Sequence, residues 1–240
     1  MATASFRFFG ELNDFLPRER RDREFTAPCA RAATTKHMIE ALGVPHTEAG
    51  RLLVNGEAAN FERLLAQGDA VLVYPQASRA QAGIRFVADA HLGGLARLLR
   101  MAGFDTLYDN GYQDEEIVAI AAGAGGAEVA TLRTVLTRDR ELLKRRDVEH
   151  GCYLHTIRPE AQLRELFARL QLAPLARPFT RCRTATCRCG RWPRPMCSSA
   201  CRNRCALTTM HSPPATPAAG CSGQARTTGG CWRCWAARLG

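Results

Sequence analysis

The last sixty residues of this 240-residue chain, 181–240, contain no aspartate, no glutamate and no lysine. They contain ten arginines, whereas residues 1–180 contain 23 Lys+Arg and 23 Asp+Glu. The whole formal net charge of +10 therefore belongs to this tail. A charge of that size suggests a nucleic-acid partner, but the body of the chain is neutral and does not carry that signal.

The tail also lacks the cysteine spacing of a zinc ribbon, although it holds nine of the eleven cysteines. Residues 180–197, TRCRTATCRCGRWPRPMC, contain four cysteines, and no two of them form a CxxC pair. Only Cys231 and Cys234 have that spacing. Because zinc ribbons pair their cysteines as CxxC, we expect no intact zinc site.

The body of the chain has only two cysteines, Cys29 and Cys152, and no long apolar run. Its beginning, MATASFRFFGELNDF, lacks the apolar segment of a signal peptide, and no stretch approaches the length of a membrane span. We therefore expect a soluble cytoplasmic protein with reduced thiols and no membrane partner.

The first 75 residues are predicted to form a strand, a helix, a hairpin and a final strand. Met38, Ile39 and Leu42 lie at helical spacing, and Asn55-Gly56 between two short apolar runs is a strong hairpin signal. This order resembles the β-grasp fold of ubiquitin-like proteins, and the segments LLVNGE and GDAVLVYP resemble its sulfur-carrier branch. Members of that branch end in an activated Gly-Gly tail, whereas here the strand continues into a further domain. We therefore expect residues 1–76 to be a packing or binding module with a protein partner still to be identified.

A linker of small residues, 77–83, precedes a change of pattern. Strands and helices then alternate, which predicts an α/β domain with a mainly parallel sheet and helices on both faces. The predicted strands are 84–88, 104–109, 133–137 and 152–157, and the predicted helices are 91–103, 114–122, 140–146 and 159–172. This gives a second domain over 84–180, followed by the tail.

Acidic residues follow three strands of this predicted sheet. Asp89 comes directly after the first strand, Asp139 lies two residues after the third, and Asp114, Glu115 and Glu116 open the helix after the second. The carboxyl ends of parallel strands meet at one edge, where active sites of open α/β sheets lie. Such a carboxylate cluster suits Mg²⁺ or Mn²⁺, and two such ions can clamp the reacting oxygens of a phosphodiester.

Basic residues are expected close to the same edge. They are Arg138, Arg140, Lys144, Arg145 and Arg146, together with Arg97 on the polar face of the first helix of this domain. They could hold RNA phosphates. Simpler roles are also open, because acids that begin helices are often caps, which applies to Asp114 and Asp139, and basic helix faces are often only solvated. Pattern and spacing therefore leave two alternatives, a metal-dependent nuclease and a non-catalytic RNA- or protein-binding module.

Three segments, FVADAHLGGLARLLRMAGFDTLY, DEEIVAIA and VLTRDRELLKRR, resemble the Mut7-C RNase domain. Its members are PIN-like nucleases that often carry a ubiquitin-like domain in front and a zinc ribbon behind the core. The resemblance covers residues 84–180 and implies metal-dependent hydrolysis of RNA phosphodiesters with Mg²⁺ or Mn²⁺. One departure is the segment 121–133, which is longer and richer in glycine than the usual link.

The resemblance also assigns roles to individual residues. It implies catalytic roles for Asp89, Asp114, Glu115 and Asp139, with Asp89, Asp114 and Asp139 as metal ligands. The phosphate-binding residues would be Arg97, Arg138, Arg140, Lys144 and Arg145. Zinc would belong to relatives with an intact ribbon and not to this chain.

Translation in the wrong frame accounts for the composition of the tail. Out-of-frame reading of a GC-rich gene yields Arg, Ala, Pro, Gly, Cys, Trp and Thr, and rarely Lys, Asp or Glu. With permitted codons, a shift of one base turns RTATCRCGRWPRPMCSSACR into PHCNVPLRPVAKADVLERLP, and the region of PPATPAAGCSGQA into TTCHACGRVFWQG. We interpret residues 181–240 as a disordered frameshift product, because they offer too little apolar surface to offset their ordering entropy. The alternative is a genuine zinc-binding tail.

Overall fold

A computed structural model describes residues 2–76, 82–123 and 132–183. The first of these ranges is a β-grasp domain. Its elements are β1 (Ala2–Phe8), β2 (Phe25–Cys29), α1 (Thr35–Ala41), β3 (Ala49–Val54), β4 (Glu57–Ala59) and β5 (Ala70–Pro75). The sheet has the order β2-β1-β5-β3-β4, with β1 parallel to β5 and the other neighbours antiparallel.

Local sequence explains most of this sheet. Asn55 and Gly56 have φ angles of 54° and 84°, the left-handed pair that a two-residue hairpin needs, and they connect β3 to β4 as predicted. The buried face carries Phe6, Phe8 and Val73, on which Ile39 of α1 packs. Strand β2 was not predicted. It lies at the edge of the sheet, where Pro28 removes no hydrogen bond that the sheet needs.

The second domain has the predicted alternation of strands and helices. Its elements are β6 (Arg85–Ala88), α2 (Gly93–Met101), β7 (Asp105–Leu107), α3 (Asp114–Ala121), β8 (Thr134–Thr137), α4 (Arg140–Lys144), β9 (Gly151–Tyr153) and α5 (Pro159–Leu170). The strands have the order β7-β6-β8-β9 and every pair is parallel. The predicted parallel sheet with flanking helices is therefore confirmed.

The two faces of this sheet have separate apolar cores. Phe86 and Leu136 point towards α2 and α5, and the cluster on that face includes Leu95, Leu99 and Leu163. The alternating residues of the same strands point to the other face, where they pack against α3 and α4. That cluster consists of Val87, Ile117, Ala121, Val135, Leu142, Leu143 and Val148. The period-two alternation of β6 and β8 thus places helices on both faces.

The two domains are joined by a polar and aromatic interface. The Glu48 carboxylate, of which 1% is exposed, forms an ion pair with Arg169 and accepts a hydrogen bond from the Tyr153 N–H. Burial raises the pKa of Glu48, and the Arg169 guanidinium opposes that rise. The Nε2 of His46 donates to the Val148 carbonyl across the same interface, at 3.0 Å. The domains therefore dock through buried, charged contacts.

The last described segment, 177–183, packs against the second domain. The N–H groups of Arg177 and Phe179 donate to the last carbonyls of α2 and its cap, and Cys182 is buried. The packed segment therefore extends beyond the predicted domain limit at residue 180. The predicted disordered frameshift tail lies outside the described residues from 184 onward. Among the described residues, no helix is both long and apolar enough to cross a membrane.

Candidate active site

The order of the parallel strands creates a crevice between β6 and β8. From β6 the chain first moves to β7 on one side and then returns to form β8 on the other. Open α/β sheets bind ligands at such a switch point, outside the carboxyl ends of the two strands. Asp89 directly follows β6 at this point, and its N–H donates to the Leu136 carbonyl of β8 at 3.0 Å. Asp139 follows β8.

Thr137, the last residue of β8, connects these two aspartates. Its buried hydroxyl donates to Asp89 Oδ2 at 2.6 Å and accepts from the Asp139 N–H at 2.9 Å. Because an ionised carboxylate can only accept a hydrogen bond, the hydroxyl proton points to Asp89, and the hydroxyl oxygen accepts from the backbone N–H of Asp139. Charge-assisted bonds of this length are strong and hold the acceptor in one orientation.

Asp139 also caps the helix that follows it. Its Oδ1 accepts from the Glu141 N–H at 2.8 Å at the start of α4. The simpler role considered for this residue is therefore present in the structure. In the described part of the chain, however, Asp139 Oδ2 and Asp89 Oδ1 accept no hydrogen bond from the protein. One oxygen of each carboxylate thus remains available to a ligand.

The acids of α3 are arranged differently. Asp114 and Glu115 lie exposed in the first turn of α3, as the sequence predicted. Glu115 pairs with Arg145 at 2.6 Å, and this hydrogen bond lowers the pKa of Glu115. Within the ranges that the structure covers, no group of three or more His, Cys, Asp and Glu side chains is close enough to hold a metal ion. The structure links Asp89 to Asp139 and does not add Asp114 or Glu115 to a common ligand set.

A pair of carboxylates is still a chemically adequate start for a hard divalent cation. Mg²⁺ commonly binds through one or two carboxylates, keeps several waters and takes its other ligands from substrate phosphates. Asp89 and Asp139 provide such a pair, each with one oxygen that the described protein does not occupy. The residues therefore fit Mg²⁺ or Mn²⁺.

The predicted phosphate-binding residues are placed in three different ways. Lys144 pairs with Glu141 at 2.7 Å, and Arg145 is engaged by Glu115. Arg140 donates to the Phe15 carbonyl of the β-grasp domain at 3.1 Å. The remaining two, Arg97 and Arg138, have exposed side chains. Arg138 lies between Thr137 and Asp139 in the sequence, directly after β8.

Two residues of this site were not identified from the sequence. They are Thr137 and Tyr108. Tyr108 belongs to the site because its hydroxyl donates to the Ala90 carbonyl at 3.0 Å and supports the turn after Asp89. A Cβ on Gly93 would lie 2.5 Å from that hydroxyl, so only glycine leaves room for Tyr108 there. A buried threonine that ends a core strand two residues before an acid was the available signal.

Comparison with known proteins agrees with the fold. Residues 1–81 match the family model for the Mut7-C ubiquitin domain, and residues 84–200 match that for the Mut7-C RNAse domain. No curated protein matches the chain.

Two solved structures are similar to about a third of the chain. The small archaeal modifier protein 1 of H. volcanii is 24% identical, with a TM-score of 0.26 over 31% of this chain and 98% of that one. A putative molybdopterin converting factor, subunit 1, from Pyrococcus furiosus is 16% identical, with a TM-score of 0.25 over 31% and 98%. Likeness of this extent carries no information about activity. The two family matches identify the chain as a Mut7-C ubiquitin domain followed by a Mut7-C RNAse domain, which indicates a nuclease-like function.

Proposed function

We propose that this protein is a cytoplasmic, metal-dependent ribonuclease that hydrolyses RNA phosphodiesters at the crevice between β6 and β8. The observation that carries the proposal is the link from Asp89 through Thr137 to Asp139 at the switch point of the sheet. The match of this domain to an RNAse family supports the substrate class.

Each residue of the crevice has a distinct task in this proposal. Asp89 and Asp139 would hold Mg²⁺ or Mn²⁺ with the oxygens that the protein leaves available. A bound ion of this kind polarises a phosphoryl oxygen and makes water a better nucleophile near neutral pH. Thr137 fixes the orientation of Asp89, and the exposed guanidinium of Arg138 contacts an RNA phosphate.

The second candidate is a non-catalytic module that binds RNA or protein. Asp139 Oδ1 caps α4 at 2.8 Å, which is a sufficient structural reason for an acid at that position. The described residues also contain no third carboxylate, histidine or cysteine that would complete a metal site. Binding of a separate protein by the β-grasp domain stays a prediction.

The variant Asp139→Asn distinguishes these candidates, because an asparagine oxygen still accepts from the Glu141 N–H while the charge is lost. We expect the variant to fold, to lose Mn²⁺-dependent cleavage of single-stranded RNA, and to lose the rise in Tm that Mn²⁺ gives the parent chain. Asp147→Asn, an exposed acid after α4, is the matched control and should behave like the parent. Full cleavage by Asp139→Asn would contradict the proposed site.

A further inference from the structure

Arg140 lies between the proposed active site and the β-grasp domain. It is the first residue of α4 and directly follows Asp139. Its Nη1 donates to the Phe15 carbonyl at 3.1 Å, and its guanidinium carbon lies 5.0 Å from the centroid of the Phe15 ring. The same guanidinium lies 5.8 Å from the Tyr153 ring. One side chain of the nuclease domain is thus held by a backbone oxygen and a ring of the other domain.

Helix α4 is held in place by contacts with its surroundings. It has only five residues, and helices of that length are not stable by themselves. Leu142 and Leu143 bury its inner face in the core of the RNAse domain, and Arg140 is held at its first position by the β-grasp domain. At the N-terminal end, Asp139 is fixed by its own cap and by Thr137, and the next residue, Arg140, donates to the Phe15 carbonyl of the β-grasp domain. The orientation of the Asp139 carboxylate is therefore coupled to Arg140.

The partner surface of Arg140 is rigid enough to serve as a support. The Phe15 ring is 4% exposed and makes edge contacts with Tyr153 and His155, with centroids 5.0 and 5.5 Å apart. The ion pair of Glu48 with Arg169 and the 3.2 Å contact of Arg169 with Glu11 hold the domains together beside it. Buried, paired charges fix the relative position of the two surfaces.

We propose that Arg140 is a positioning residue for Asp139 and that the β-grasp domain, through Phe15, is part of the nuclease site. This inference rests on the proposed function. In it, the partner of the β-grasp surface around Phe15 is the RNAse domain of the same chain. Arg140 then acts through Asp139 and does not bind RNA phosphate, which separates it from Arg138.

The test compares Mn²⁺ binding and RNA binding in the full chain. We expect Arg140→Ala to raise the Kd for Mn²⁺ about tenfold, the loss that follows when a residue orienting a metal ligand is removed. The KM for single-stranded RNA and the salt dependence of RNA binding should stay unchanged. A phosphate-binding Arg140 would instead reduce the salt slope by about one and leave Mn²⁺ binding intact, and that result would overturn the inference. Arg164→Ala, an exposed arginine of α5, controls for the loss of one charge.

A second variant keeps the test decisive if Arg140→Ala is poorly folded. Phe15→Leu retains most of the buried volume but removes the ring that Arg140 covers. We expect Phe15→Leu to raise the Kd for Mn²⁺, as Arg140→Ala does. The variant that carries both substitutions should bind Mn²⁺ no more weakly than Arg140→Ala, because both substitutions remove the same contact between Arg140 and Phe15. Unchanged Mn²⁺ binding in folded Phe15→Leu would show that the β-grasp domain does not support the site.

The outcome for the proposed function is read separately, from Asp139→Asn. If the parent chain binds Mn²⁺ and Asp139→Asn does not, the proposed function stands, and the Arg140 and Phe15 variants alone decide the positioning role. If the parent chain binds no Mn²⁺, the proposed function and the positioning role are both wrong.

Discussion

Replacing Thr137 with valine removes the hydroxyl that joins Asp89 to Asp139 while it keeps the shape of the side chain. The hydroxyl donates to the Asp89 carboxylate at 2.6 Å and accepts from the Asp139 N–H at 2.9 Å, and the residue is fully buried. A hydrogen bond to a charged group contributes about 1.5–3 kcal/mol. The extra buried methyl group of valine stabilises the fold by about 0.8 kcal/mol and partly offsets this loss. We therefore expect a loss of about 1–2 kcal/mol in the free energy of unfolding.

The expected shift is large enough to measure by thermal unfolding. For a chain of this size, about 1–2 kcal/mol corresponds to a fall in Tm of roughly 2–8 °C. The same variant should bind Mn²⁺ about 10–100-fold more weakly, because Thr137 orients a carboxylate that would hold the ion.

Thr137→Ser is the matched control, because it keeps the hydroxyl and loses only a methyl group. We expect the serine variant to lose about 1 kcal/mol of stability and to keep the Mn²⁺ response of the parent chain. If Thr137→Val responds to Mn²⁺ as strongly as Thr137→Ser does, the hydroxyl does not organise the site and the reasoning is refuted.

Three further predictions concern stability and the tail. Burial acts to raise the pKa of Glu165, but hydrogen bonds led by His155 outweigh it and hold that pKa at about 2, below the usual glutamate value of 4.5. The resulting stabilisation of the fold, about 3 kcal/mol, is present above pH 4.5 and is lost as the pH falls towards 2. Glu165→Gln should remove this part of the pH dependence of the free energy of unfolding in urea. An unchanged loss of stability at acid pH in that variant would contradict the prediction. Glu48→Gln should cost about 3 kcal/mol in thermal unfolding, because it breaks a buried ion pair and leaves Glu11 as the acid paired with Arg169 in the described part of the chain, whereas a loss below about 1 kcal/mol would mean that the interface contributes little. Deleting 184–240, which contain eight arginines and no acid, should remove most of the salt-sensitive, non-specific RNA binding; undiminished binding would assign it to the body.

The sequence was sufficient to predict the order of elements in the second domain, because each strand and helix there has a clear local period. Boundaries were less accurate where tertiary contacts decide them. Helix α4 ends at Lys144 and not at 146, since Arg145 has an extended backbone with ψ of 137°. Strand β9 ends at Tyr153 and not at 157, because β8 itself ends at Thr137, whose carbonyl accepts from the Leu154 N–H and which leaves the later residues no strand to pair with there.

The candidate site was predictable only in part, for physical reasons. Asp89 and Asp139 follow adjacent parallel strands, so the topology alone brings them together. The pairing of Arg140 with Phe15 joins residues 125 positions apart, and that of Arg169 with Glu48 spans 121. Such contacts leave no periodic signal, because they depend on how two complete domains dock. The link through Thr137 was missed because a buried threonine at a strand end is also an ordinary core residue.

The most direct test of the central claim is calorimetric titration of Mn²⁺ into the parent chain, Asp89→Asn and Asp139→Asn, with RNA cleavage measured on the same samples. We predict that the parent chain binds Mn²⁺ and cleaves single-stranded RNA in proportion to the bound ion. We also predict that each variant, although folded, loses both binding and cleavage, since both carboxylates contribute to one site. Equal Mn²⁺ binding by all three proteins, or cleavage that persists in both variants, would contradict the assignment of Asp89 and Asp139.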